Sequence, residues 1–355
     1  MNTILKAGAL ACALLSGTAA AATAEMTLRY VEGSPNRGAK SRALTDFGNE
    51  LAKLSNGELE IEFHWGGALL KWGAIFDGVA AQTADMGTLI AAYNPKELQG
   101  QGIGDLPIGE SGDAWVGSRA LHELLTTNAD MIDALARQNI VFVGAIHTTA
   151  NQVMCKGADI KGVADLKGKK YRGAGIYSHA LSDYGATIVN LTYGESYQAL
   201  DTGLVDCSQV LLYSIDPYKF WEIIDQVLII DWGQTAGIVA GINKDVHDRL
   251  SDSQREALRK AGDFLTDRQA EYLIEEDLAA RAALEAGAYG RPVEVIHASA
   301  EDEAILDEIS KKYIDDWKTN MAAQGYDADA AYAQYLELLD KYARERDEKG
   351  YPWTR

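Results

Sequence analysis

Between Gly162 and Glu222 the chain places one arginine, Arg172, directly after the basic turn Lys167-Gly168-Lys169-Lys170 and a short strand pattern, and follows it with an amphipathic helix that ends in the turn Gly203-Leu204-Val205-Asp206. That order presents Arg172 at the C-terminal edge of a strand, where open α/β sheets hold ligands. A guanidinium offers a planar fork matched to a carboxylate or sulfonate and keeps its charge at physiological pH. The chemistry expected is capture of a small organic anion. On residue type alone, a surface arginine continuing the Lys167, Lys169, Lys170 basic run is the better guess.

Six aromatics fall at predicted strand ends facing an inter-lobe cleft: Trp65, Tyr93, Tyr177, Tyr193, Tyr213 and Trp232. Each has core packing as its alternative. Glu32 ends the first predicted strand and is placed at the cleft rim, the alternative being a solvated loop carboxylate. Facing a ligand, it would call for an amine or hydroxyls. Cys155 ends one strand-like run and Cys207 opens another, so in an oxidising compartment they are a disulfide candidate, with two buried free thiols as the alternative.

Enzyme signatures are weak. His122-Glu123 lacks a second histidine at Thr126, Gly162–Lys169 is mis-spaced for a phosphate loop, and no G-x-S-x-G elbow occurs. No histidine stands at metal-ligand spacing from either cysteine. The expectation is a binding protein without catalytic residue, metal or cofactor; a secreted two-domain hydrolase or lyase acting on a carboxylated substrate is the competing reading.

The elements that must position these residues alternate as strand and helix. Leu28–Val31, Leu59–Phe63, Gly87–Ala92 and Ile140–Ile146 read as strands, with Arg42–Leu54 and Ala114–Arg137 helical between them. The βα pattern repeats from His147 to about Gly233, and Leu228–Ile230 followed by Ile238–Ile242 returns the chain to the first lobe. From Ser251 onward it is mainly helical, with Ser251–Gln254 a good helix start. At 355 residues two lobes are the default. The expected fold is α/β and two-lobed, of the type II-like periplasmic binding kind, joined by hinge strands. Its divisions are 1–24 signal peptide, 25–146 plus 236–276 lobe one, 147–235 plus 277–340 lobe two with the C-terminal helices, and 341–355 a tail.

The leader reading rests on Lys6, the apolar run Ala7–Leu15 and small residues at Ala20–Ala24. It implies a periplasmic protein from which Cys12 is removed. The net charge of −19 repels nucleic acid and anionic membranes by its long-range field. A monomer is expected.

Three segments in order carry a family resemblance: Asp165-Leu166-Lys167-Gly168-Lys169-Lys170-Tyr171-Arg172, then Gly194-Glu195-Ser196-Tyr197-Gln198-Ala199-Leu200 with Gly203-Leu204-Val205-Asp206, then Lys219-Phe220-Trp221-Glu222. Together with Gly78–Gly87 and Leu106-Pro107, they resemble the solute-binding proteins of tripartite ATP-independent periplasmic (TRAP) transporters, of the dicarboxylate- and sialic-acid-binding type, from about Leu28 to the end. The resemblance implies that Arg172 holds a ligand carboxylate, that Tyr193 packs on the ligand, that a long helix spans both lobes, and that the partner is a TRAP membrane permease. Gln209 stands where that branch has a ligand-contacting asparagine. Ile146 stands where the sialic-acid branch has a second arginine. Both departures point to a smaller ligand with one acidic group.

Overall fold

The computed structural model describes residues 26–355; the predicted leader, with Cys12, lies outside the described residues. Lobe one begins with β1 (Met26–Val31), α1 (Ala39–Leu54), β2 (Leu59–His64), α2 (Ile75–Ala80) and β3 (Met86–Ile90), and continues through α3 (Ala114–Thr127) and α4 (Ala129–Ala136) to β4 (Ile140–Ala145). Lobe two comprises β5 (Ala150–Cys155), β6 (Lys170–Arg172), α5 (Gly175–Tyr184), β7 (Thr187–Ile188), α6 (Ser196–Asp201), β8 (Cys207–Val210) and β9 (Gln226–Gln234). The chain returns through β10 (Ile238–Asn243) and α7 (Lys244–Arg249), then runs on as α8 (Asp252–Glu285), β11 (Glu294–His297), α9 (Ala300–Ala323) and α10 (Ala328–Lys349).

Two separate sheets result, ordered β2-β1-β3-β10-β4 and β11-β9-β5-β8-β6-β7. The chain passes from β4 to β5 across 146–149 and from β9 to β10 across 235–237, giving two extended antiparallel crossings. They bond to each other, Ile146 N–H to the Ile238 carbonyl at 2.9 Å and Thr148 N–H to the Thr235 carbonyl at 3.3 Å. Asp105 of lobe one grips this hinge, its Oδ1 accepting the Ala236 and Gly237 amides at 2.8 Å each. Burial pushes the Asp105 carboxyl up to about 6, against the two amide bonds that lower it.

Helix α8 is the third crossing. Ser251 caps it through a reciprocal bond with Gln254, as its first residues predict. At about 1.5 Å per residue its 34 residues reach roughly 50 Å. Leu258, Ala261 and Leu265 enter the core of lobe one, whereas Ala280 and Leu284 enter that of lobe two. Gly262 permits the close seat on β4, because a Cβ there would stand 1.8 Å from the Val143 carbonyl oxygen.

Two sequence expectations are corrected. Glu294–His297 is a strand, β11, paired in parallel with β9, inside a stretch read as helical. The C-terminal helices do not belong to lobe two alone, and 341–355 is not a free tail. Helix α9 places Leu306 and Tyr313 in the core of lobe two but Trp317 and Met321 in that of lobe one, and α10 lies on lobe one. The physical reason is the helical stripe Ala331, Tyr335, Leu338, Leu339 and Ala343, buried against lobe one. Near its end and beyond it, Tyr342 and Tyr351 meet Trp115 edge-on, with ring centroids 5.7 and 6.0 Å away.

Cys155 and Cys207 face each other across β5 and β8 and form a disulfide, with their Cα atoms 4.1 Å apart. It locks β5, the strand that follows the first hinge crossing, to β8, the strand beside β6, which ends on Arg172.

Candidate functional site

Between the lobes lies a cavity of about 70 Å³. One water needs about 10–15 Å³ of such space, so the room is that of roughly half a dozen waters. From lobe one the wall takes the turn after β1 and the start of α1 (Ser34, Arg37, Lys40), Trp72, and the end of β3 (Ile90, Tyr93). From lobe two it takes Arg172, Tyr193, Gln209, Leu211, Tyr213 and Tyr218, while Thr148 and Thr235 of the hinge close its base. Among the described residues no Asp or Glu lines it, in a chain with 52 acidic and 33 basic residues.

Arg172 is the last residue of β6 and is 1% exposed. Its Nε donates to the Leu191 carbonyl at 3.0 Å and its Nη2 to the Tyr93 hydroxyl at 3.2 Å. The Tyr193 ring centroid lies 5.2 Å from the guanidinium carbon. Among the described residues no carboxylate comes within salt-bridge distance of it. A buried cation is costly unless it is paired, so this one is set to receive an anion. The lysines that precede it do other work: Lys170 pairs with Asp206 at 3.8 Å, and Lys167 lies exposed over the Tyr184 ring at 4.2 Å.

Tyr193 is fixed by its hydroxyl, which shares a hydrogen bond with Ser214 and accepts the Leu211 amide at 3.3 Å. Burial pushes its phenol up to about 12. Tyr218 meets the Tyr193 ring edge-on at 5.1 Å and stacks on Phe220 at 5.6 Å, giving lobe two an aromatic wall. Gln209 lines the cavity with both amide ends engaged: its Nε2 donates to Asn151 and to Thr235, and its Oε1 accepts the Ala174 amide at 3.2 Å. Tyr213, in the short 3-10 turn Leu212–Ser214 after β8, lines the cavity as well.

Four predicted residues stand elsewhere. Glu32 is neither a rim nor a solvated acid. It is fully buried behind the wall, its Oε1 accepting the Ser34 amide and hydroxyl at 2.7 Å each and its Oε2 accepting from Thr88. Trp65 follows β2, the edge strand opposite the hinge-bearing β4, lies outside the cavity lining, and its ring stacks on Phe63 at 5.0 Å. Tyr177 and Trp232 pack edge-on at 4.9 Å inside lobe two. The Tyr177 hydroxyl accepts the Gln234 amide at 2.9 Å, and Trp232 Nε1 donates to Ser310 at 3.0 Å. Strand-end position alone does not separate a ring facing a cleft from one turned into its lobe.

Lys40 and Trp72 were missed by the sequence reading. The Lys40 ammonium stands 4.0 Å from Glu32 and 5.0 Å from the Trp72 ring centroid, and Lys40 and Trp72 both line the cavity. Trp72 Nε1 is buried without a hydrogen-bond partner among the described residues. Its ring fits because residue 33 is glycine, where a Cβ would meet it at 2.2 Å. The available signal was placement: Lys40 follows the C-terminal end of β1, the same edge of a parallel sheet that singles out Arg172.

A family model described as bacterial extracellular solute-binding protein, family 7, matches residues 31–320. A curated relative from Albidiferax ferrireducens, described as a solute-binding protein, is 24% identical over 233 residues, which cover 63% of this chain and 66% of the relative, just under two thirds of its length. A TRAP periplasmic solute-binding protein of Bordetella bronchiseptica, solved with bound (R)- and (S)-mandelate, is similar with a TM-score of 0.80 at 23% identity, over 89% of this chain and 99% of that one. A marine-metagenome TRAP solute-binding protein specific for aromatic acids, in complex with 3-hydroxybenzoate, gives 0.78 at 21%, over 90% and 99%. A Bordetella pertussis extracytoplasmic solute receptor binding pyroglutamic acid gives 0.75 at 22%, over 88% and 100%. At these identities the structural likeness carries the fold.

Proposed function

Because the chain belongs to the bacterial extracellular solute-binding proteins of family 7, whose model spans residues 31–320, we propose that it captures a small organic monoanion between its lobes in the periplasm and delivers it to a TRAP-type membrane permease. One observation carries this reading: a cavity wall free of acid, with Arg172 buried in it and unpaired with any carboxylate among the described residues.

Charge bookkeeping favours one acidic group over two. Lys40 is offset by Glu32, and Arg37 is exposed at the mouth, so Arg172 is the buried positive charge left uncompensated. The remaining wall is apolar or aromatic, with Trp72, Ile90, Leu211 and Tyr218, and is suited to a ring or short branched carbon skeleton. Lys40 offers a donor to a neutral acceptor such as a hydroxyl or carbonyl. The ligands in the similar structures, mandelate, 3-hydroxybenzoate and pyroglutamic acid, are of this class. A dicarboxylate or a nonulosonic acid suits the charge and size of the cavity less well.

The test is calorimetric titration of the mature protein with mandelate, benzoate, pyroglutamate, succinate and sialic acid, with chromatography of the mixture afterwards. One-to-one binding of a monoacid, recovered unchanged and bound more tightly than succinate, is expected. Preference for succinate or sialic acid, binding of none of the monoacids, or turnover of the bound acid overturns the reading.

A further inference from the structure

Resting on that reading, the contacts around Tyr93 assign a role to one hydroxyl. Tyr93 follows β3 in lobe one, yet its phenol oxygen accepts two N–H bonds from lobe two: Arg172 Nη2 at 3.2 Å and the Tyr193 amide at 2.9 Å. A phenol that accepts twice still has one proton to give. None of its hydrogen bonds among the described residues uses that proton, and the residue lines the cavity beside Arg172.

The guanidinium has matching capacity. Of its five N–H groups, one goes to Leu191 and one to Tyr93. The three that remain include one on each terminal nitrogen, the pair that grips both oxygens of a carboxylate. The carboxylate oxygen on the Nη2 side then sits next to the Tyr93 oxygen.

We propose that Tyr93 couples anion capture to lobe closure: its O–H donates to the same carboxylate that Arg172 holds. The anion is thereby bound by both lobes at one point. A ligand favours a closed state only through contacts it makes there and not in the open one, and this bond exists only when lobe one is swung onto lobe two. Tyr93 is a positioning residue for Arg172 and the lobe-one contact of the charged group, while Trp72, whose ring centroid lies 6.3 Å away, supports its ring.

The experiment compares wild type with Tyr93→Phe, which keeps the ring and removes the hydroxyl. Mandelate, benzoate and pyroglutamate are titrated beside their primary amides, and small-angle scattering is recorded with and without saturating acid. The variant is expected to bind the acids about 10- to 100-fold more weakly, the range for a hydrogen bond to a charged group. It should also lose part of the acid-over-amide preference, the rest being held by Arg172, and stay less compact than wild type when saturated. A variant that binds and compacts like wild type sinks the coupling role alone, as does one that loses acid and amide equally. If none of the three acids binds wild type, the functional reading itself falls, and the coupling role with it.

Discussion

Glu32 and Lys40 decide what charge the cavity offers beside Arg172. With Glu32 buried at 4.0 Å from the ammonium, Lys40 acts as a directed donor rather than a free cation. Glu32→Gln keeps an oxygen for Ser34 and leaves Lys40 uncompensated. Selectivity should then move toward dianions, with succinate gaining on benzoate by on the order of 1–2 kcal/mol at the effective dielectric of a partly buried site. Titration of both acids into both proteins measures this, and an unchanged ratio contradicts it. At this scale the sequence was partly legible. Arg172 was singled out because the family resemblance joined its strand-end position; on the local pattern alone a solvated arginine was the better guess. Tyr93, Tyr193, Gln209 and Tyr213 line the cavity, but Trp65, Tyr177 and Trp232 do not, because which way a ring turns depends on neighbours distant in sequence. Glu32 was misplaced for the same reason: its partner Thr88 comes from another strand.

The hinge elements carry their own titration. The Asp105 carboxyl stands at about 6 in the folded chain, above its ordinary 3.8, so the folded state holds this proton more tightly than the unfolded one. The contribution is complete below about pH 4 and is lost as pH rises through 6. His147, buried in the hinge and lowered to about 3, acts in the opposite sense, losing stability as pH falls below its ordinary 6.5. Asp105→Asn keeps an acceptor for Ala236 and Gly237 without a charge. The stability of the variant relative to wild type should therefore grow between pH 4 and 7.5 by on the order of 3 kcal/mol, and taking the difference removes His147. Urea unfolding at several pH values measures it; a pH-independent difference contradicts it. The elements were largely legible, because β1 to β4, the return through β9 and β10, and the cap of α8 rest on periodicity and local turns. Strand β11 was not, since four residues framed by helices have too little pattern. The seat of α10 depends on the facing surface of α3 and lobe one, which no local window contains.

For the whole molecule, four crossings join the two lobes, the two hinge strands with α8 and α9, and the cavity lies between the lobes beside the hinge strands. On the proposed function, closure takes the anion and Arg172 out of water together, which strengthens their attraction. That makes Arg172 the residue on which the account depends. Calorimetric titration of Arg172→Ala, Arg172→Lys and Lys169→Ala with the monoacid that wild type binds best is the most direct test. Removing one partner of a desolvated pair costs about 2–5 kcal/mol, so Arg172→Ala should bind roughly 30-fold to several-thousand-fold more weakly while melting as a folded protein. Arg172→Lys should recover part of the affinity, lacking the planar fork, and Lys169→Ala, outside the cavity, should bind like wild type. A folded Arg172→Ala protein that binds the acid with wild-type affinity would contradict the account.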